Sequence, residues 1–507
     1  MAILTGQMGL GRSCGDTWRN LAEERPAGFI FDAGTHLNYC VPYGRLPVEP
    51  ANKSIVQTSS QPTAVNSPAE RARFVRDQLP AEGLFAGHQW RVATSPLRLA
   101  TPLAKEIETL GRVLLQFYRA VNLLYRKSAE GKQPEWVARW LDYGKPAELI
   151  ALERSAAFKN EVPRVIRPDL LITEHGLSVT ELDSVPGGIG LTAWLNQVYS
   201  RLEETQAAPA TTKLLGGPKG MLEGFASIFG EAPHVHIVVS DEAATYRPEM
   251  EWVANQLGER FQARDSNFQL FEDGDAVYRF FELFDLRNVG NSARIFELAA
   301  SKRIRLTPPP KPIFEEKMLF ALLWNRNLQG FWRQELGQAF HERMLKLVPY
   351  TWIVDPSPLP PQGAIPQLDI TDWRQLQLLS HKDRELILKV SGFSPHAWGA
   401  RGVYLGSDLP QAEWAAAVDR AIAGCEREPH VLQRYHKPSL VETEWFDFES
   451  NQPVPMKGRA RLCPYYFVHG EAEAARAQLG GVLATICPAD KKIIHGMTEA
   501  VFAPCSA

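Results

Sequence analysis

Apolar and polar positions form their clearest pattern between residues 167 and 190. Leu170 begins a short apolar run, Gly176 ends a turn-forming triplet, and an alternating segment continues as far as Leu182. Apolar runs bounded by turn formers are typical of strands, and two such runs joined by a short turn form a β-hairpin. The pattern therefore predicts a two-stranded hairpin here.

Three carboxylates accompany this hairpin. Asp169 near one strand end is expected beside Glu181 and Asp183 near the other, because residues two apart project from the same sheet face. Three converging carboxylates repel one another unless a cation lies between them, and an oxygen-only ligand set suits Mg²⁺ rather than zinc. Arg167, two residues before Asp169, supplies a guanidinium fork for a phosphate or a carboxylate. The hairpin is therefore a candidate metal site.

A Pro-Gly-Gly-Ile-Gly corner follows the hairpin and separates two interpretations of it. The simpler interpretation is a solvated hairpin with a charged face. The corner favours a ligand site instead, since glycine lets the backbone approach a ligand closely. A helix is predicted from Leu191 to Glu204, and its first amides could face an anionic ligand.

Helical periodicity dominates the segment before the hairpin. Apolar residues recur at intervals of three and four from Leu103 to Leu124, which predicts a long helix over residues 103–128 with one buried stripe. One or two further helices are predicted over residues 135–158. Residues 1–98 are rich in Pro, Ser and Gly, which favours irregular structure.

Strand and helix patterns alternate after residue 231. The continuous apolar run 235–240 is typical of a strand buried on both faces. The following elements are a helix over 246–261, a strand over 276–284, a helix over 295–301 and a strand over 304–306. Alternation of this kind predicts a small parallel sheet.

A second candidate site surrounds Lys389. This lysine lies near the end of a predicted strand, 385–390, and a glycine-punctuated loop, 391–402, leads to a returning strand. Phosphoryl transfer needs positioning and charge neutralisation, which a lysine and backbone amides both supply. Taken alone, a strand lysine beside such a loop is weak evidence for a nucleotide site.

Composition narrows the function classes. The chain of 507 residues has 55 Lys plus Arg against 58 Asp plus Glu, and this net charge of -3 gives no sign of a nucleic-acid partner. No apolar run reaches the ~18 residues that a membrane span needs, so no membrane partner is expected. The six cysteines lack metal-binding spacing and predict reduced thiols in a cytoplasmic protein.

The Arg-x-Asp, hairpin, Glu-x-Asp order resembles the metal-binding hairpin of glutathionylspermidine synthetase and eukaryotic glutathione synthetase. These enzymes are ATP-grasp amide ligases with a circularly permuted chain order. The resemblance covers roughly residues 165–507. The position of Asp183 departs from the family, which usually has Asn there, so the number of bound Mg²⁺ ions, one or two, is left open.

The resemblance implies a mixed α+β architecture, an ATP-grasp fold with a small parallel-sheet subdomain and a largely helical N-terminal region. The implied boundaries are 1–164 for loops then helices, 165–230 for the metal-binding hairpin and helix, 231–310 for the pre-ATP-grasp subdomain, and 311–507 for the nucleotide-binding region.

The resemblance also implies roles for individual residues. Lys317, expected on a helix over 314–331, and Lys389 bind the phosphates of ATP. A hinge strand at 430–438 meets adenine, although the pattern alone also fits an ordinary edge strand. The implied nucleotide contacts are Lys317, Lys389, Gly392, Gly399, Gly402, Gln433 and Tyr435; the metal ligands are Asp169, Glu181 and Asp183; and the catalytic arginines are Arg167 and Arg461.

The implied reaction uses ATP and Mg²⁺ to join a small-molecule or peptide carboxylate to an amine through an acyl phosphate, releasing ADP and phosphate. The loop 391–402 is the implied lid. A hydroxyl or thiol acceptor stays open, as does a non-catalytic scaffold subunit that binds nucleotide. The identity of the substrates and the oligomeric state are not predicted by the sequence.

Overall fold

A computed structural model describes residues 67–80, 90–204, 213–397, 401–494 and 499–507. The irregular structure expected for residues 1–66 and the position of Gly399 lie outside these ranges. The expectation for residues 67–98 is wrong for one segment, 68–77, which is helical. Ser67 and Glu70 cap this helix reciprocally, each side chain accepting the other residue's backbone N–H, and the sequence carries the corresponding Ser-x-x-Glu signal.

The described ranges contain both helices and strands. The helices are α1 (Pro68–Asp77), α2 (Thr101–Ala129), α3 (Glu135–Asp142), α4 (Ala147–Arg154), α5 (Ile189–Glu204), α6 (Gly220–Ser227), α7 (Arg247–Leu257), α8 (Ser292–Ala300), α9 (Met318–Trp324), α10 (Gln329–Leu347) and α11 (Gln411–Ala423). The strands are β1 (Arg91–Val92), β2 (Leu97–Arg98), β3 (Val165–Thr173), β4 (Gly176–Asp183), β5 (Val235–Val239), β6 (Phe261–Arg264), β7 (Ala276–Phe280), β8 (Arg305–Thr307), β9 (Thr351–Ile353), β10 (Leu386–Val390), β11 (Val403–Leu405), β12 (His430–Arg434), β13 (Leu440–Asp447), β14 (Gln452–His469), β15 (Arg476–Pro488) and β16 (Val501–Ser506).

An eight-stranded sheet carries the hairpin, with the main strand order β1-β16-β15-β14-β3-β4. Its longest strand, β14, pairs antiparallel with β13 along its first half and with β3 along its second, while β15 covers its other edge. The predicted hairpin is confirmed as β3 and β4, joined by the turn after Thr173. Pairing with β14 therefore holds the hairpin in place within the large sheet.

Helix α2 lies against the large sheet, as its buried stripe requires. Its predicted extent is confirmed within a residue or two at each end. Gly111 lies at the point of closest approach, where an added Cβ would be 2.4 Å from a ring carbon of Tyr466. The Tyr466 hydroxyl donates to the carbonyl of Ile107 at 2.6 Å, which satisfies that buried phenol.

A four-stranded parallel sheet has the order β6-β5-β7-β8, which confirms the predicted strand–helix alternation. The strand predicted over 276–284 is too long, since β7 ends at Phe280. The chain leaves the sheet there because the amide of Leu283 donates to the carboxylate of Glu315 at 3.0 Å and a 3₁₀ helix begins.

A second four-stranded sheet is antiparallel and has the order β11-β10-β12-β9. Strand β12 lies between two partners, so the edge-strand alternative for residues 430–438 is wrong. The single helix expected over 314–331 is also wrong. Glu316 and Asn325 have extended backbone angles, which limits the helical run to α9 and makes Lys317 its N-terminal boundary.

Residues 65–507 form one compact unit with an α+β fold. The boundaries expected inside it, after residues 164, 230 and 310, stay predictions. None of the helices in the described ranges is both long and apolar enough to cross a membrane. The described cysteines, Cys425, Cys463, Cys487 and Cys505, form no disulfide with one another.

Candidate functional site

The hairpin places four charged side chains on one face of the large sheet. In the β3–β4 register, Arg167 lies opposite Asp183, and Asp169 lies opposite Glu181. Nη2 of Arg167 is 2.9 Å from Oδ2 of Asp183, and its Nε is 3.1 Å from Oδ1 of Asp169. The alternation of a strand thus brings the predicted arginine and its carboxylates into direct contact.

Asp169 is held from two sides by arginine. Nη1 of Arg461, on β14, lies 3.1 Å from Oδ2 of Asp169, and the Cys463 thiol donates to Oδ1 at 3.5 Å. Burial alone would raise the pKa of Asp169, but the two guanidinium charges overcome it and lower that pKa. Asp169 is therefore ionised in the ligand-free protein.

Asp183 behaves differently from Asp169 although both contact Arg167. Burial raises the pKa of Asp183, and the nearby carboxylates Glu181 and Asp169 add to that rise. Arg167 and the Val185 amide, which donates to Asp183 at 2.8 Å, oppose it without cancelling it. Asp183 thus binds its proton more readily than an ordinary aspartate.

Lys317 spans the gap between the hairpin and the loop after β10. Its ammonium lies 3.0 Å from Oε1 of Glu181 and donates to the carbonyl of Ala397 at 2.9 Å. The Lys317 side chain is 8% exposed and the Glu181 side chain 34% exposed, so this pair is reachable from solvent on the acid's side.

Lys389 points at the hairpin from the antiparallel sheet. Its ammonium donates to the carbonyl of Thr180 at 3.1 Å and to Oε1 of Gln433 at 2.9 Å. Burial lowers its pKa to about 8, although the charge of Glu181 works in the opposite direction. The structure thus brings the strand lysine and the acidic hairpin together at one place.

The side-chain oxygen of Gln433 accepts the hydrogen bond from Lys389 and is shielded from solvent. Gln433 is buried, and its amide nitrogen donates to Oγ1 of Thr351 at 3.1 Å. Tyr435 lies just past β12, half-buried, with its backbone amide donating to the carbonyl of Glu385 at 3.0 Å. The adenine role expected for both residues stays a prediction.

The glycines of the loop after β10 are explained by close packing inside the protein. A Cβ on Gly392 would lie 2.5 Å from the Glu315 carbonyl, and a Cβ on Gly402 would lie 2.6 Å from the His396 carbonyl. No larger side chain fits at either position. Their expected contact with phosphates stays a prediction.

The charges of the site sum to a small positive excess, with four cationic side chains facing three carboxylates. The cations are Arg167, Lys317, Lys389 and Arg461, and the carboxylates are Asp169, Glu181 and Asp183. Such an excess favours an anionic ligand.

The hairpin carboxylates fit Mg²⁺ by their chemistry, since all three offer hard oxygen ligands. Across the described ranges, no three His, Cys, Asp or Glu side chains lie together as a ready metal cluster. Each hairpin carboxylate contacts a cation of the protein instead. Glu181 is the carboxylate best placed to take a metal, because its side chain is 34% exposed, against 25% for Asp183 and 8% for Asp169.

The N-terminal amides of α5 face a carboxyl group of the protein itself. The carboxylate of Glu249, on α7, accepts from the Gly190 amide at 2.7 Å. Burial raises the pKa of Glu249 to about 7, and hydrogen bonds from the glycine corner work against that rise. This corner therefore serves internal packing, which the sequence did not reveal.

The carboxyl ends of β5 and β7 lie near the glycine corner that follows the hairpin, because the Tyr246 ring lies against both Gly187 and Phe280, the last residue of β7. The chain passes from β5 to β6 on one side and to β7 on the other, so these two ends flank a switch point, where α/β sheets bind ligands. Two fully buried tyrosine hydroxyls, Tyr118 and Tyr278, have no hydrogen-bond partner in the described residues, and neither does Ser184. The charge of Asp183 acts on the pKa of both tyrosines, which places them near the site.

Sequence reasoning missed these hydroxyls because nothing in the local pattern distinguishes them from core residues. Tyr118 comes from α2 and Tyr278 from β7, and both occupy apolar stripes. Sequence reasoning also missed Glu282, two residues after the end of β7. Its pKa is raised well above the usual range by burial and by the nearby charge of Glu315.

Comparison with known proteins shows the fold. No protein-family model matches the chain, and no curated protein matches it. Among solved structures, it is similar to a glutathione synthetase-like effector (GSS30) from Globodera pallida in its apo form, with 12% identity, 88% of this chain and 98% of that chain covered, and a TM-score of 0.52. A putative gamma-glutamylcysteine synthetase from Methylobacillus flagellatus KT is 11% identical over 77% of this chain and 87% of that chain, but its TM-score of 0.34 is too low for a shared fold. The chain therefore has an α+β fold like that of a glutathione synthetase-like protein.

Proposed function

We propose that the chain is an ATP- and Mg²⁺-dependent ligase that joins a carboxylate to an amine and releases ADP and phosphate. The observation that carries this proposal is the contact between Lys389 and the hairpin, with its ammonium 3.1 Å from the Thr180 carbonyl. It brings a strand lysine and three carboxylates to one place, which is what a metal–triphosphate complex requires. The likeness to a glutathione synthetase-like fold is consistent with a ligase.

In this proposal Lys317 and Lys389 bind the phosphates of the nucleotide. Both ammonium groups are largely buried, so their charges act in a medium where water screens them little. Gly392 and Gly402 keep the loop backbone close to Lys389, and the hinge strand over 430–438, with Gln433 and Tyr435, is the proposed adenine contact.

Asp169, Glu181 and Asp183 are the proposed Mg²⁺ ligands. The ion would neutralise phosphate charge and orient the phosphates. Because Lys317 now contacts Glu181 at 3.0 Å, the lysine has to leave this carboxylate to serve the phosphates. The carboxylate is then open to the metal.

Arg167 and Arg461 steady the substrate carboxylate and the phosphoryl group in transit. Nε of Arg461 has no hydrogen-bond partner in the described residues. Nε of Arg167 lies near Asp169 but without the alignment of a hydrogen bond. Each guanidinium group therefore has an N–H that can donate to a ligand. The substrate carboxylate attacks the γ-phosphorus to give an acyl phosphate and ADP, and the amine then displaces phosphate to form the amide. Water has to be excluded, because it would hydrolyse the acyl phosphate.

The switch point beside the hairpin, at the carboxyl ends of β5 and β7, is the proposed substrate site. Its unpartnered hydroxyls on Tyr118, Tyr278 and Ser184 would pair with polar groups of a small molecule or peptide. A buried polar group without a partner costs about 1–3 kcal/mol, so a ligand that satisfies these hydroxyls gains affinity and specificity.

The proposal is tested by ADP release with MgATP across amino acids and short peptides, with mass detection of the product. A ligase releases ADP only when acid and amine are both present, and Glu181→Gln abolishes that release. Glu174→Gln, on the exposed turn of the same hairpin, is the matched control and retains activity. The product mass separates an amide from an ester or thioester.

A nucleotide-binding scaffold without catalysis is the second candidate. The observation in its favour is that each hairpin carboxylate already contacts a cation of the protein. A scaffold binds MgATP without releasing ADP under any substrate combination. A protein that does not bind MgATP at millimolar Mg²⁺ would be neither.

A further inference from the structure

A buried ion pair links the N-terminal helical region to the proposed phosphate lysines. The ammonium of Lys145, between α3 and α4, lies 2.6 Å from Oε1 of Glu316, and both side chains are 0% exposed. A buried pair of this kind is costly to break, because the remaining charge is left unpaired away from water. Lys145 is thus tied to the residue directly before Lys317.

Glu316 connects this ion pair to the end of β10. Its second carboxylate oxygen accepts a hydrogen bond from the Ser391 hydroxyl, and Oγ of Ser391 in turn accepts from the Met318 amide at 2.9 Å. The Ser391 carbonyl accepts from the Lys317 amide at 2.9 Å. Helix α9 and strand β10 are therefore joined through one serine.

The two proposed phosphate lysines flank this junction. Lys317 follows Glu316, and Lys389 is two residues before Ser391. The segments are closely packed here, since a Cβ on Gly392 would come within 2.8 Å of the Glu316 carboxyl carbon. A change at Glu316 is therefore transmitted to the backbone that carries both ammonium groups.

We infer that Lys145 is a positioning residue, which acts through Glu316 and Ser391 to set the spacing of Lys317 and Lys389 for a polyphosphate. The inference rests on the proposed function and gives the N-terminal helical region a part in it. Lys145 does not itself touch the nucleotide. Its charge pairs with the Glu316 carboxylate and keeps that carboxylate directed at Ser391.

The test is the affinity for MgATP, measured by isothermal titration calorimetry on the full chain. Lys145→Met should weaken binding about 10- to 100-fold, since displacing binding groups by ~1 Å has effects of this size. Lys311→Met is the matched control. Lys311 is a similarly buried ammonium that donates to the Asn122 side chain at 2.5 Å and to the Glu161 carbonyl at 3.2 Å, so its loss should lower the melting temperature and leave affinity within about threefold.

A rescue variant separates positioning from simple destabilisation. In Lys145→Met combined with Glu316→Gln, the amide oxygen still accepts from the Ser391 hydroxyl and no unpaired charge is buried. This double variant should recover affinity to within about threefold of the original chain. Ser391→Ala, which removes the shared hydroxyl, should weaken binding as Lys145→Met does.

Equal losses of affinity in Lys145→Met and Lys311→Met at matched melting temperature would overturn the inference, because both would then reflect stability alone. Unchanged affinity in Lys145→Met would overturn it as well. If the unmodified chain does not bind MgATP, the proposed function itself fails, and that result is distinct from either of the others.

Discussion

The ammonium of Lys317 lies 3.0 Å from Oε1 of Glu181, so a proposed phosphate ligand and a proposed metal ligand neutralise each other in the ligand-free protein. The same ammonium also donates to the Ala397 carbonyl at 2.9 Å. These two contacts leave the ammonium one of its three donors, so a phosphate that takes more than one has to displace Glu181 or the Ala397 carbonyl. We therefore expect the binding of metal and nucleotide to be coupled. A metal on Glu181 releases Lys317 for the phosphates, and a nucleotide on Lys317 releases Glu181 for the metal.

Glu181→Gln should tighten the binding of ATP in the presence of EDTA while abolishing Mg²⁺-dependent ADP release. The substitution frees Lys317 from an ion pair, and partly exposed pairs are worth about 0.2–1 kcal/mol, which corresponds to about 1.4- to fivefold in affinity. Titration calorimetry without metal measures the change. Glu174→Gln on the same hairpin should leave both properties unaltered, and weaker metal-free binding in Glu181→Gln would contradict the coupling.

Lys389→Met should abolish MgATP binding without lowering the stability of the ligand-free protein. Burial lowers the pKa of Lys389 to about 8 from 10.5, so its ammonium carries a cost of about 3 kcal/mol below pH 8 that is relieved as pH rises from 8 to 10.5. The variant removes that cost and leaves two acceptors, the Thr180 carbonyl and Oε1 of Gln433, without this donor, at about 1–3 kcal/mol each, so the two effects are of similar size. Denaturant unfolding at pH 7 measures the balance.

The control for Lys389 is Lys457→Met on the exposed part of β14, which should change neither binding nor stability. If Lys389→Met instead unfolds several degrees lower, Lys389 is a structural lysine as well. If it still binds MgATP normally, the phosphate role is wrong.

Glu249→Gln should flatten the pH dependence of stability between pH 5 and 8. Burial raises the pKa of Glu249 to about 7 from 4.5, so its contribution is fully present below pH 4.5 and is lost as pH rises to 7. The loss amounts to about 3 kcal/mol from this group. Glutamine still accepts from the Gly190 amide, so the variant should match the original chain near pH 5 and exceed it at pH 8. Parallel curves for the two proteins would contradict the shift.

Gly111→Ala should destabilise the protein although alanine is the better helix former. The new Cβ would lie 2.4 Å from the Tyr466 ring, and overpacking of this kind costs about 1–3 kcal/mol, more than the ~1 kcal/mol gained in helix propensity. Gly330→Ala, in α10 with nothing within 4 Å of its Cβ position, is the matched control and should be neutral or slightly stabilising. Thermal melts of both variants decide whether α2 contacts β14 this closely.

The hairpin shows how much of the site was readable from the sequence. Alternation along β3 and β4 was enough to place Arg167, Asp169, Glu181 and Asp183 on one face, because a strand turns its side chains every second residue. The same reasoning failed for the helix expected over 314–331, since the break before α9 depends on Glu315 and Glu316 making contacts with distant segments.

The sequence by itself determined α2, the hairpin and the parallel sheet, since each depends on a periodicity that neighbouring residues carry. Only the tertiary structure decided which charges meet. Lys389 and Thr180 are 209 residues apart, and Lys145 and Glu316 are 171 apart. No local pattern specifies such pairs, because they form only when separate sheets and helices pack and exclude the water that would otherwise solvate each charge.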